Sequence, residues 1–187
     1  VYKRQGQSPS VGPLLARMAQ GLERAGADFL VMVCNTAHAF QPDIEQAVSI
    51  PFLSMIDMVL WNLSKTFPGA ECVGIMAADG CLDAQLYQRA VAAMGYSSIV
   101  WSDAERLRFM NELYRIKSGI RDQPVRDHLL ELGQSLQQRG ADVLISGCTE
   151  IPLVLNTDDF TIPLLSSTDI LVQHTMDYAL GLSALPG

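Results

Sequence analysis

A block of nine residues occurs twice in the chain. Gly26-Ala27-Asp28-Phe29-Leu30-Val31-Met32-Val33-Cys34 and Gly140-Ala141-Asp142-Val143-Leu144-Ile145-Ser146-Gly147-Cys148 share their opening tripeptide and set a cysteine eight residues after the glycine. A second block comes after each. Ile50-Pro51-Phe52-Leu53-Ser54-Met55-Ile56-Asp57 matches Ile162-Pro163-Leu164-Leu165-Ser166-Ser167-Thr168-Asp169, and each leads into an apolar run, 58–63 and 170–178. Two matched blocks in one order mark an internal duplication, which restricts the chain to architectures that build one supersecondary unit twice.

Ahead of each glycine, apolar residues recur at helical spacing: Val11, Leu14, Leu15, Met18 and Leu22 in the first copy, Val125, Leu129, Leu132 and Leu136 in the second. Gly26 and Gly140 then stand where a helix ends in a left-handed residue. Each copy reads helix, glycine turn, buried apolar strand, and a cysteine at the carboxyl end of that strand. In open α/β sheets ligands bind in the crevice beyond those ends. The predicted fold is α/β: two similar Rossmann- or flavodoxin-like lobes with parallel sheets, related by a pseudo-two-fold axis, with the active site in the cleft between them. The lobes are assigned to 1–66 and 67–161, with 162–187 a strand and helix returning toward the first. The second copy also predicts a strand at 72–77, a helix at about 82–94 stopped by Gly95, a strand at 98–101 and a helix at 104–117. The first copy has no counterpart to these, so symmetry predicts roughly 40 further residues and two strands upstream. On that reading the first lobe is incomplete, and residues 1–5 are non-native.

The charge balance narrows the partners. A net charge of −7 opposes nucleic acid and anionic membrane, both of which need a concentrated basic surface. No apolar run approaches the ~20 residues of a membrane span, and no signal segment opens the chain, so its four cysteines are expected as free thiols in a reducing cytoplasm. The ligand is expected to be a small molecule. Two lobes related by a two-fold axis bring Cys34 and Cys148 to opposite walls of one cleft. That arrangement suits taking a proton from one face of a carbon and returning one to the other, as at the weakly acidic α-carbon of an amino acid. Backbone N–H groups of Asn35-Thr36 and Thr149-Glu150 are expected to lower the thiol pKa and cradle a carboxylate.

Cys34-Asn35-Thr36-Ala37-His38 and Gly147-Cys148-Thr149-Glu150-Ile151-Pro152-Leu153 resemble the two motifs of the aspartate/glutamate racemase family, over nearly the whole chain from about Ser10 to Tyr178. The resemblance implies a cofactor-independent, metal-free amino-acid racemase of two α/β lobes, a homodimer, with Cys34 and Cys148 as alternating base and acid. It also implies that Asn35, Thr36 and Thr149 hold the α-carboxylate or orient the thiols. Glu150, where glutamate racemases carry histidine, points to the aspartate-type or broad-specificity branch. Lys117 matches a lysine that binds the distal carboxylate, while the family's partner arginine lies in the segment expected upstream. Ala77-Ala78-Asp79-Gly80-Cys81 departs from the family's Ala-Thr-x-Gly-Thr, which removes two hydroxyls and adds Cys81 as a third thiol near the site.

Plainer readings stand beside these. A strand-end cysteine is often an inert small hydrophobe, as Cys72 is expected to be. Cys34 and His38, four apart, with Cys148 and Glu150, form an alternative metal set. His38 otherwise supports the Cys34 turn, His128 and His174 are structural, Lys117 suits a helix C-terminus and Glu150 a first helical turn. Asp57 and Asp169 are expected to cap the helices after Ser54 and Ser166. Two further functions stay open: a dicarboxylate decarboxylase or cis-trans isomerase of the same superfamily, and a non-catalytic dicarboxylate-binding fragment.

Overall fold

The two most apolar strands lie side by side at the centre of the molecule. β3 (Cys72–Ala77) and β5 (Val143–Gly147) pair in parallel, Val73 opposite Val143 through Ala77 opposite Gly147. Strands covered on both faces carry no polar alternation, and Val73, Ile75, Met76, Leu144 and Ile145 are fully buried. The computed structural model of the chain describes residues 10–183, so residues 1–5, expected to be non-native, lie outside the described part. β4 (Ser97–Val100) flanks β3 and β6 (Leu164–Ser166) flanks β5, giving a parallel sheet of order β4-β3-β5-β6. β1 (Leu30–Val31) and β2 (Phe52–Leu53) form a second parallel sheet. The fold is α/β in two lobes, as the duplication predicts.

The duplication is visible bond by bond. α1 (Gly12–Arg24) and α7 (Gln123–Gln138) precede the two repeat strands. Each ends at a glycine of positive φ, +93° at Gly26 and +98° at Gly140, a conformation that costs glycine alone nothing. Ala27 N–H then bonds Leu22 O, and Ala141 N–H bonds Leu136 O. Leu30 N–H donates to Pro51 O and Leu144 N–H to Pro163 O, both at 2.8 Å, so β1 meets β2 as β5 meets β6. Serines cap the next helix in both copies: Ser54 Oγ accepts from Asp57 N–H ahead of α3 (Met55–Thr66), and Ser166 Oγ from Asp169 N–H ahead of α8 (Ser167–Ala179). The expectation that the aspartates cap is corrected; they occupy the first turn, where their charge favours the helix N-terminus.

Four further expectations change. In α1, Leu14, Met18 and Leu22 are exposed, and the helix instead turns Leu15 and Ala19 toward Leu30 and Ile44 of α2 (Gln41–Glu45). The run ending in Cys34 is not a buried strand. Its ladder is two residues long, and Val31 and Val33 stand exposed on the face away from α1. The single helix expected at 82–94 is two, α4 (Asp79–Asp83) and α5 (Leu86–Ala93), broken at Gln85, whose φ is +54°. α6 (Asp103–Lys117) starts one residue before its predicted position, behind a Ser102/Glu105 capping box. α8 follows β6 out of the larger sheet and packs on the first lobe, where Leu171 joins Leu53, Met55 and Met58 in a buried cluster.

Candidate active site

β5 delivers Cys148 to the carboxyl edge of the larger sheet. Gly147 permits this, because a Cβ there would stand 2.9 Å from Tyr87 Cε2 and 3.1 Å from Ala77 Cβ. The Cys148 thiol donates to Glu150 Oε2 at 3.0 Å, Thr149 Oγ1 donates to the same oxygen at 3.0 Å, and Lys117 Nζ, at the end of α6, lies 3.2 Å from Glu150 Oε1. Burial disfavours the Glu150 carboxylate, but hydrogen bonds from Cys148 and Thr149 and the charge of Lys117 outweigh it, and its pKa falls below the ordinary value. Cys148 moves the other way. Burial first, and then the neighbouring Glu150 charge, push its thiol well above the usual range. The turn N–H that lowers it is too weak to prevail, so the expected acidification by backbone N–H groups does not extend to Cys148.

Cys34 emerges from β1, is half-buried, and is followed by a short 3-10 helix, Thr36–Phe40. His38 fastens this turn. Its Nδ1 donates to Cys34 O at 2.8 Å and its Nε2 accepts from Met55 N–H at 3.0 Å, partners that assign the neutral tautomer. Burial lowers its pKa, against the opposing Cys34 carbonyl. With both ring nitrogens engaged, His38 holds the Cys34 turn against α3 and has no lone pair for a metal. Among the described residues no group of three or more His, Cys, Asp or Glu side chains is placed to hold a metal ion.

One cleft of about 190 Å³ unites the two turns, lined by Val33, Cys34, Asn35 and Thr36 on one side and Gly147, Cys148, Thr149, Glu150 and Lys117 on the other. It is smaller than the roughly 300–1,000 Å³ of sites that take drug-sized ligands, a scale that suits an amino acid. Asn35 lines it with its carboxamide turned inward, Oδ1 accepting from Tyr87 and Nδ2 donating to Ser167. Thr36 packs its methyl where a Gly80 Cβ would stand, 2.7 Å from Cγ2. Cys81 does not line the cleft; it is fully buried, and burial followed by the charge of Cys34 pushes its thiol up to about 12. Outside the cleft, His128 bonds Glu112 at 2.7 Å and His174 packs edgewise on Trp61. Tyr87, Ser146 and Ser167 escaped the sequence reading. Ser167 had a faint signal, being a polar residue where the first copy has Met55; Tyr87 had none.

The Asp/Glu/Hydantoin racemase family model matches residues 2–175. The chain is 25% identical over 158 residues to the broad specificity amino-acid racemase RacX of Bacillus subtilis (strain 168), covering 83% of this chain and 66% of that protein. It is 32% identical over 141 residues to the glutamate racemase of Corynebacterium glutamicum, covering 74% of this chain and 49% of that one. The chain thus spans under two thirds of the length of RacX and about half that of this glutamate racemase. Among solved structures it superposes on a candidate Asp/Glu racemase from Yersinia pestis with a TM-score of 0.81 at 29% identity, covering 90% of this chain and 74% of that one. It also superposes on the Picrophilus torridus aspartate racemase with a TM-score of 0.79 at 20% identity, covering 95% and 72%, a likeness of fold.

Proposed function

The chain belongs to the Asp/Glu/Hydantoin racemase family, and we propose on that premise that it racemises amino acids, aspartate or glutamate among them, by proton transfer between Cys34 and Cys148. The observation that carries this is the shared cleft, with one cysteine on each wall. A thiolate on one wall takes the Cα proton; the C–H bond breaks, an S–H bond forms, and the electron pair delocalises into the α-carboxylate. The opposite thiol then gives its proton to the other face, and the roles are exchanged for the other enantiomer. Burial and the Glu150 charge push the Cys148 thiol up, which favours Cys148 as the proton donor of the pair. Neither step requires a cofactor or a metal. A homodimer in a reducing cytoplasm belongs to the same reading.

Lys117 bears on the substrate. Its ammonium is the group expected to meet a distal carboxylate, yet it is paired with Glu150 at 3.2 Å, so an acidic side chain competes with Glu150 for it. This favours a modest preference for acidic over neutral amino acids, in keeping with the similarity to a broad-specificity racemase. The test is deuterium incorporation at Cα of L-aspartate, L-glutamate and L-alanine in D2O without added cofactor, followed by NMR and chiral chromatography. Exchange with appearance of the D-enantiomer is expected, with Lys117→Gln narrowing the gap between acidic and neutral substrates. Absence of exchange with every substrate overturns the racemase reading.

A further inference from the structure

Behind the cleft runs a buried chain of hydrogen bonds that joins the two cysteine turns. Tyr87 Oη donates to Asn35 Oδ1 at 2.6 Å, Asn35 Nδ2 donates to Ser167 Oγ at 3.0 Å, and Ser167 Oγ donates to Ser146 O at 2.7 Å. Asn35 directly follows Cys34, and Ser146 stands two residues before Cys148. Four separate elements contribute: α5, the turn after β1, the first residue of α8, and β5. Tyr87 makes a second link of its own, since its ring edge fills the space beside Gly147, where a Cβ would approach to 2.9 Å. One side chain therefore touches the neighbour of each cysteine, through its hydroxyl on one side and its ring on the other.

Burying these groups is costly unless they satisfy one another. Tyr87, Ser146 and Ser167 are fully buried and Asn35 is 3% exposed, and a buried hydroxyl or amide without a partner destabilises by about 1–3 kcal/mol. Each is satisfied here by the next, and a fully satisfied buried network is rigid. Proton transfer to and from opposite faces of one carbon depends on such rigidity. Reacting atoms must lie about 3–3.5 Å apart, and a misplacement of about 1 Å costs roughly 100-fold in rate.

We propose that the Tyr87–Asn35–Ser167–Ser146 chain is the strut that sets the spacing of Cys34 and Cys148, and that Tyr87 and Ser167 are positioning residues of the reaction. The proposal rests on the two-thiol reading and makes a prediction that the reading alone does not. A single well-placed thiol suffices for a Cα proton to exchange with solvent and return to the same face. Inversion needs both thiols at the correct separation. Loosening the strut therefore suppresses inversion more than exchange with retention.

The experiment runs the protein, Tyr87→Phe and Ser167→Ala in D2O with L- and D-substrate, measuring deuterium in the residual enantiomer and yield of the opposite one, with thermal melting alongside. Each variant is expected to lower inversion by about 10- to 100-fold, to raise the ratio of exchange to inversion severalfold, and to leave KM nearly unchanged. A ratio equal to that of the unsubstituted protein overturns the strut, whether both rates fall together or neither falls. If Tyr87→Phe does not fold, Ser167→Ala decides the question by cutting the chain at another link. Failure of the unsubstituted protein to exchange or invert instead overturns the racemase reading, and is distinct from a strut that fails in an active enzyme.

Discussion

The two copies of the repeat deliver a cysteine to the same point by the same backbone, and then surround it differently. Both stop a helix at a positive-φ glycine, both bond the strand to the carbonyl of an Ile-Pro, and both cap the next helix with serine. Around Cys34 the turn is fastened by a neutral His38 that receives Met55 N–H. Around Cys148 the equivalent of Met55 is Ser167, whose hydroxyl reaches back to Ser146 O. Cys34 is half-buried; Cys148 is buried and donates to a carboxylate. Backbone symmetry thus brings two thiols to one cleft, and side-chain asymmetry gives them different surroundings.

Removing either cysteine is the strongest way to break this comparison. Cys34→Ala and Cys148→Ala are each expected to lower racemisation by about 10²–10⁴-fold or more, measured by chiral chromatography; inversion surviving in either variant refutes the pairing of thiols.

The preceding helices give the next largest contrast. Met18 in α1 and Leu132 in α7 hold equivalent positions, 57% and 2% exposed. Leu132→Ala is expected to cost about 2–5 kcal/mol and Met18→Ala within about 0.5 kcal/mol in urea unfolding. Similar losses at both sites are the result that contradicts the difference in burial.

A pH profile sharpens the asymmetry of the thiols. With Cys34→Ala in place only Cys148 can take a proton, and burial and the Glu150 charge both disfavour its thiolate. Exchange by this variant should therefore rise only above the ordinary thiol range. Adding Glu150→Gln removes the negative charge, and the midpoint should move down; an unmoved or raised midpoint rejects the assigned cause.

The smallest effect is on stability. The Glu150 pKa lies below its ordinary value of 4.5, so its contribution is complete above that value and is lost as pH falls through the folded-state pKa. The melting difference between the protein and Glu150→Gln should be constant from neutral pH down to about 4.5 and shrink below it. A difference that grows on acidification has the wrong sign.

Much of this was legible in the residue order, because repetition and glycine stops are local properties. The 3.6-residue spacing of Val125, Leu129, Leu132 and Leu136 marked a helix whose apolar face is buried in full. The same spacing misled in α1, since periodicity identifies a face but not whether another element covers it. The 82–94 stretch read as one helix because nothing at Gln85 announces a left-handed residue. Cys34, Cys148, Asn35, Thr36, Thr149 and Glu150 stand out in the repeat and its motifs, Lys117 only through the family resemblance, and all line the cleft. Cys81 stands out too, and lies buried off it.

By itself the sequence determined the duplicated unit, the parallel α/β class and a cysteine at the same distance beyond each helix-stopping glycine, since these come from periodicity, glycine conformation and spacing along the chain. The tertiary structure alone decided that Lys117 is paired with Glu150, that burial and the Glu150 charge push the Cys148 thiol up, and that Tyr87, 52 residues beyond Asn35, bonds it. Charge, burial and hydrogen bonding between distant residues depend on which surfaces the folded chain brings into contact, and no local pattern encodes that distance.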